Sequence, residues 1–186
     1  MNENKTRVVS GWTGRYFEDF TVGDIYEHPM ARTVSTTDNQ WFTLITQNTS
    51  KTHLDSHYAK QTEYGRPLVN STFTLALVTG QSTIDLSFNV YANLGWDEVR
   101  CPAPVFEGDT IYSRSLVTAV RASGSKPTVG IITVATQGFN QSGTIVISYR
   151  RTFMVYRQGE GPAAASAQPD LASLVSLARD DEPGHP

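Results

Sequence analysis

Residues 69–80 include no charged side chain, and the chain changes character just beyond them. These two facts limit the fold more than any other feature. The 69–80 stretch is long enough for about three helical turns. An apolar helix without a charged face has to be buried, and Gly80 suits its C-terminal end. After Ser82, residues 90–96, 99–105, 110–121, 130–140 and 144–157 are rich in Val, Ile, Thr, Tyr and Phe with partial alternation. That is the signature of strands. Glu107-Gly108-Asp109, residues 123–127 and residues 140–143 separate them as turns, the last as a hairpin. The expectation is an α+β domain whose antiparallel sheet buries one face under the 69–80 helix.

Upstream, the signals are more local. Trp12, Tyr16, Phe17 and Phe20 form an aromatic stretch that ends at Val22-Gly23-Asp24. Residues 25–34 read as a first strand, with Pro29 marking an edge or a bulge. A helix follows, with capping-box spacing at Thr37 and Gln40 and with Trp41, Leu44 and Ile45 on one face. Residues 46–54 are polar and aperiodic, and read as a loop. Asp55 or Ser56 caps a short helix to about Thr62, and Gly65-Arg66-Pro67 breaks the chain. This gives a leader over 1–13, one domain over 14–158, and a flexible tail over 159–186 with a short helix or disorder near residues 170–179.

Composition removes several function classes. The 186 residues contain 39% hydrophobic and 18% charged side chains, enough apolar content for a core. The net charge of −3 leaves no basic field for nucleic acid. No apolar run reaches the roughly 20 residues that span a bilayer. The single cysteine, Cys101, allows no internal disulfide and no thiolate metal site. A cytoplasmic location is expected. The run His53-Leu54-Asp55-Ser56-His57 would align three ligands on a strand, but a helix cap at Asp55 or Ser56 breaks that alternation. No metal or other cofactor is expected.

His53 ends the polar run Asn48-Thr49-Ser50-Lys51-Thr52. It reads either as an acid/base, with Asn48 and Ser50 holding a water beside it, or as a surface-loop histidine. Asn70 and Ser71 begin the buried helix. Free amides there can polarise a carbonyl oxygen, or the two residues are ordinary caps.

Longer runs carry a resemblance. Residues 14–20, Asn48-Thr49, the 65–71 run Gly-Arg-Pro-Leu-Val-Asn-Ser, the 92–100 run Ala-Asn-Leu-Gly-Trp-Asp-Glu-Val-Arg and the 102–110 run through Pro102, Phe106 and Asp109 resemble the MaoC-like dehydratases. That family includes the (R)-specific enoyl-CoA hydratases, and the resemblance is strongest to its mesaconyl-CoA hydratase (β-methylmalyl-CoA dehydratase) branch. It implies a hot-dog fold, with an antiparallel sheet wrapped around one long helix. It also implies a homodimer or higher homo-oligomer with sites between two hot dogs, and an acyl-CoA or acyl-carrier thioester as substrate.

The wider family motif is Asp-x-Asn-x-x-His. His53 matches its histidine, while Asn48 and Ser50 stand at the acidic and amide positions. Asn48 can orient water but cannot take its proton. His53 is then the acid/base, and Asn48 its catalytic companion. Ser50, Lys51, Asn70 and Ser71 are expected to bind substrate. Lys51-Thr52 replaces the usual Pro-Leu, and Lys51 either meets an anionic group or faces solvent. Asn70-Ser71 replaces the family's His-Gly pair, as in the mesaconyl branch. Cys101 replaces an aromatic residue and reads as packing. The implied activity is a hydro-lyase on a branched or carboxylated enoyl thioester. A dehydratase of carrier-bound intermediates and a non-catalytic hot-dog subunit are the alternatives. A thioesterase is a weaker one, because only Asp55, the expected cap, offers a carboxylate near His53.

Overall fold

The computed structural model describes Val9 and residues 11–162. The expected tail helix, His185 and most of the leader lie outside the described residues. A compact unit spans Gly14–Gly161. Its strands are β1 (Ile25–Glu27), β2 (Arg32–Thr33), β3 (Val90–Arg100), β4 (Thr110–Ala122), β5 (Val129–Phe139) and β6 (Ile145–Tyr156). They lie in the order β1-β4-β5-β6-β3, with β2 added to β4, and every pair is antiparallel. Consecutive β4, β5 and β6 are neighbours because short turns join them.

The helices are α1 (Thr36–Ile45), α2 (Lys51–Leu54), α3 (Ser56–Ala59) and α4 (Ser71–Gln81). The apolar segment is thus a helix, and two devices set it on the sheet. Gly138 of β5 lacks a side chain where Val78 of α4 arrives: a Cβ there would lie 2.6 Å from a Val78 methyl and 2.8 Å from an Ile147 methyl. At the helix end, Gln81 donates to the carbonyl of Ile111 at 2.7 Å and accepts from the Ser113 hydroxyl at 2.7 Å, tying α4 to β4. Beyond α4 the chain makes a π-helical turn over Thr83–Ser87.

The buried Arg151 of β6 faces this region, bonded to Asn93 Oδ1 at 2.7 Å and to the hydroxyls of Ser82 and Ser87 at 3.4 Å. Ser82 is the C-cap of α4, so the negative end of the helix dipole faces the guanidinium. Two apolar clusters form the core. One groups Val34, Val69, Val78, Ile111 and Ile147, with Val78 contributed by α4. The other groups Phe20, Leu86, Val117, Ile132 and Phe153.

Three local expectations change. Residues 25–34 form two short strands rather than one, because the chain leaves the ladder around Pro29, which has no amide hydrogen. The 99–105 strand does not exist: β3 runs on to Arg100, and Pro102 and Pro104 then take the chain off the sheet. The box that starts α1 is Ser35 with Asp38, not Thr37 with Gln40. Asp38 donates its amide to Ser35 Oγ at 3.1 Å, and its carboxylate accepts the Ser35 amide at 3.0 Å. Arg32 pairs with the same carboxylate and fixes the cap two residues earlier than the sequence spacing predicts.

Candidate active site

The helix α1 stops in a Schellman turn. Gln47 takes a left-handed φ of 56°, and the amides of Gln47 and Asn48 return to the carbonyls of Leu44 and Thr43, each at 3.0 Å. Asn48 then folds the next turn, its Oδ1 accepting the Ser50 amide at 3.0 Å. These two turns launch α2 within the 46–54 stretch, which the sequence alone presents as loop. A single helical turn is too short to show a hydrophobic period. The Asp55 carboxylate accepts the Tyr58 amide at 2.9 Å and caps α3 as expected, so it is committed to that turn.

This arrangement places His53 on α2 against the segment that leads into α4. Its Nδ1 donates to the carbonyl of Leu68 at 2.8 Å. A carbonyl only accepts, so Nδ1 carries a proton, and in the neutral ring the lone pair belongs to Nε2. The imidazole lines a cavity of about 310 Å³ together with Tyr64, Ser71, Thr74, Cys101 and Val146. Ser71 is the first residue of α4, so the positive end of that helix dipole opens on the same cavity. Buried Asn70 caps the helix, its Oδ1 accepting the Thr72 amide at 3.0 Å and the Thr72 hydroxyl at 2.6 Å. A proton carrier and the amides of a helix start thus share one cavity. Such a pair can move a proton while negative charge builds on a carbonyl oxygen.

The expected site residues divide into two groups. His53 and Ser71 line the cavity, and Asn70 sets the helix end behind it. Asn48, Ser50 and Lys51 do not line it. The oxygen of Asn48 is used by the Ser50 amide, Ser50 is exposed, and the Lys51 ammonium sits 5.9 Å from the Tyr58 ring centroid. Cys101 does line the cavity, and burial pushes its thiol pKa up, which disfavours the thiolate. Among the described residues, no group of three or more His, Cys, Asp or Glu side chains gathers to hold a metal. No described helix is long and apolar enough to cross a membrane.

Sequence reasoning missed Asn39. It is fully buried on α1 and hydrogen-bonded both to the His53 support and to the start of α4. Trp41, Leu44 and Ile45 do share a face, but they are 70%, 61% and 73% exposed. The buried face is polar, made by Asn39 and Thr43. Their i, i+4 spacing was the available signal, and hydrophobic periodicity pointed away from it.

Comparison with known proteins agrees with this geometry. The sheet curled over one helix is a hot-dog fold. A Mycobacterium tuberculosis protein with a double hot-dog fold superposes with a TM-score of 0.73 at 23% identity, over 93% of this chain and 58% of that one. A MaoC domain protein from Chloroflexus aurantiacus superposes at 0.77 and 28% identity, over 88% of this chain and 46% of that one. Among sequences, a mesaconyl-CoA hydratase from Cereibacter sphaeroides is 34% identical over 164 residues, 88% of this chain and 48% of its own length. A beta-methylmalyl-CoA dehydratase from Chloroflexus aurantiacus is 31% identical, over 88% of this chain and 47% of its own. The chain therefore spans about half the length of the curated relatives it matches. The family model for mesaconyl-CoA hydratase matches residues 3–186, and by that match and those identities the chain belongs to the mesaconyl-CoA hydratase family.

Proposed function

We propose that this chain is a hot-dog unit of a hydro-lyase that adds water to, or removes it from, the 2,3 bond of a branched or carboxylated enoyl-CoA. The observation that carries this is the His53 ring, held through Nδ1 to the Leu68 carbonyl, at a cavity that also receives the start of α4. The substrate class follows the relatives, whose names specify mesaconyl-CoA and beta-methylmalyl-CoA.

In hydration, Nε2 takes a proton from water as the water oxygen bonds to C3. The electron pair of the 2,3 bond moves through C2 onto the thioester oxygen, where the α4 amides near Ser71 stabilise it. The imidazolium then returns the proton to C2, so H and OH have added across the bond. Dehydration reverses each step. Asn48 has no proton-accepting carboxylate and its oxygen takes the Ser50 amide, so it does not serve as the base.

A second hot dog is part of this reading, supplied by another copy of the chain. The chain leaves two surfaces open. On the edge strand β3, Tyr91, Leu94 and Trp96 are 43%, 52% and 43% exposed. On α4, the small residues Thr72, Ala76 and Gly80 face outward.

The test is hydration of mesaconyl-CoA and of an unbranched enoyl-CoA by the purified chain, with the oligomeric state measured alongside. His53→Ala is expected to lose about 10²–10⁴-fold in turnover with its circular dichroism unchanged. Wild-type rates from His53→Ala would remove the assignment. No hydration by a well-folded wild-type chain would favour the non-catalytic subunit, and full activity from a strict monomer would remove the second hot dog.

A further inference from the structure

We infer that Asn39, oriented by Glu107, is the positioning residue that locks His53 and the start of α4 into one rigid unit. This rests on the hydro-lyase reading for its kinetic consequence but not for its structural one.

The Asn39 side chain has no solvent exposure. Its Nδ2 faces three acceptors: the Leu68 carbonyl at 3.1 Å, Glu107 Oε1 at 3.2 Å and the His53 carbonyl at 3.4 Å. Its Oδ1 accepts the amide of Asn70 at 3.0 Å. A carboxylate and two carbonyls only accept, and a backbone amide only donates, so a single orientation of the Asn39 amide fits all four, with its two hydrogens shared among the three acceptors. Glu107 is itself held, its other oxygen accepting the Thr36 hydroxyl at 2.6 Å.

The consequence lies in the shared atoms. The Leu68 carbonyl that accepts from Asn39 is the one that accepts from His53 Nδ1. The Asn70 amide that donates to Asn39 opens the helix whose next residue, Ser71, lines the cavity. One buried amide therefore fixes the imidazole's tautomer support and the helix terminus relative to each other. A reaction needing a base at C2 or C3 and a donor at the thioester oxygen depends on that separation. A misplacement of about 1 Å costs on the order of 10²-fold in such systems.

Asn39→Asp is the decisive variant. It keeps the acceptor for the Asn70 amide but removes both donor hydrogens and sets a carboxylate against Glu107. Expected are a kcat loss of about 10²-fold with KM little changed, and a change in the ¹⁵N shifts of the His53 ring, which in the wild type are expected to show a protonated Nδ1 bonded to the Leu68 carbonyl. Adding Glu107→Gln, whose amide can donate to the introduced carboxylate, is expected to restore part of kcat. A purely structural role would lower the melting temperature without moving the ring shifts or separating kcat from KM. A folded Asn39→Asp with wild-type kcat and wild-type His53 shifts would overturn the inference. If Asn39→Asp does not fold, Glu107→Ala serves instead: it removes the carboxylate that helps hold the Asn39 amide, and unchanged kcat and ring shifts there would also overturn it. Should the wild type hydrate no thioester, the hydro-lyase reading falls, while the ring shifts still decide the role of Asn39.

Discussion

Two histidines in this molecule share a residue type and little else. His28, just beyond β1, has both ring nitrogens engaged: Nδ1 lies 2.9 Å from Asp85 and Nε2 3.0 Å from the Ser115 hydroxyl. Asp85 also pairs with Arg15, and Ser115 passes the chain on to Thr136 at 2.8 Å. His53 uses one nitrogen on a carbonyl, and the residue lines a cavity. On distances alone, Ser115–His28–Asp85 is the more suggestive set, since serine, histidine and aspartate linked in that order have the connectivity of an activated nucleophile. Yet Ser115 has no exposure and the His28 side chain none either. A nucleophile that no substrate can reach does no chemistry. What separates the two histidines is access to an open cavity, and the number of hydrogen bonds runs the opposite way.

That contrast can be broken by paired substitutions. The largest effect expected is the turnover loss in His53→Ala, with stability nearly intact. His28→Ala should do the reverse. It leaves the Asp85 and Ser115 groups without their buried partner and opens a small void, a cost of about 2–4 kcal/mol, while the folded fraction keeps its kcat. Urea titration and turnover per folded molecule measure the two axes. If His28→Ala abolished turnover in a folded protein, the buried chain would have a catalytic role after all.

A subtler effect is pH dependence. Burial pushes the His28 pKa below its ordinary value near 6.5, against the opposing pull of Asp85. Between the folded and unfolded values the unfolded chain binds the proton more readily, so acid favours unfolding. The neutral His28 contribution is complete above about pH 6.5 and is lost as pH falls through the lower folded value. Melting temperatures at pH 7.5 and 5.5 should therefore drop further on acidification in the wild type than in His28→Gln. Equal drops would mean that His28 does not stay neutral in the fold.

The same contrast explains what was legible from sequence. The uncharged apolar run becomes α4, and the alternating segments at 110–121, 130–140 and 144–157 become β4, β5 and β6 with small boundary shifts, whereas the expected 25–34 strand splits and the 99–105 strand is absent. His53 and Ser71 stood out because family-like runs surround them. Asn39, Asp85 and Ser115 did not, since each is a polar residue whose importance lies in a partner 31, 57 or 87 positions away. No local pattern encodes such a partner. Asn48 and Lys51 are read from the sequence by their nearness to His53, and the structure adds what that reading lacks: the Asn48 oxygen builds the turn that starts α2, and Lys51 shares α2 with His53 while its ammonium lies over the Tyr58 ring.

The smallest effect tests that turn. Gln47 holds the left-handed position of the α1 Schellman motif, which glycine occupies at far lower conformational cost. Gln47→Gly should keep both returning hydrogen bonds and relieve the strain, while losing part of the gain to unfolded-state entropy. The net expected change is a stabilisation of about 0.5 kcal/mol, read as a small rise in the urea midpoint at constant slope. The informative quantity is activity. If the strained turn serves only to end α1, Gln47→Gly has wild-type kcat, because Asn48 is still delivered to the start of α2. If turnover instead falls while stability rises, the left-handed residue is holding Asn48 against a relaxed alternative. Asn48 would then belong with His53 on the chemical side of the comparison, although its oxygen is committed to the Ser50 amide.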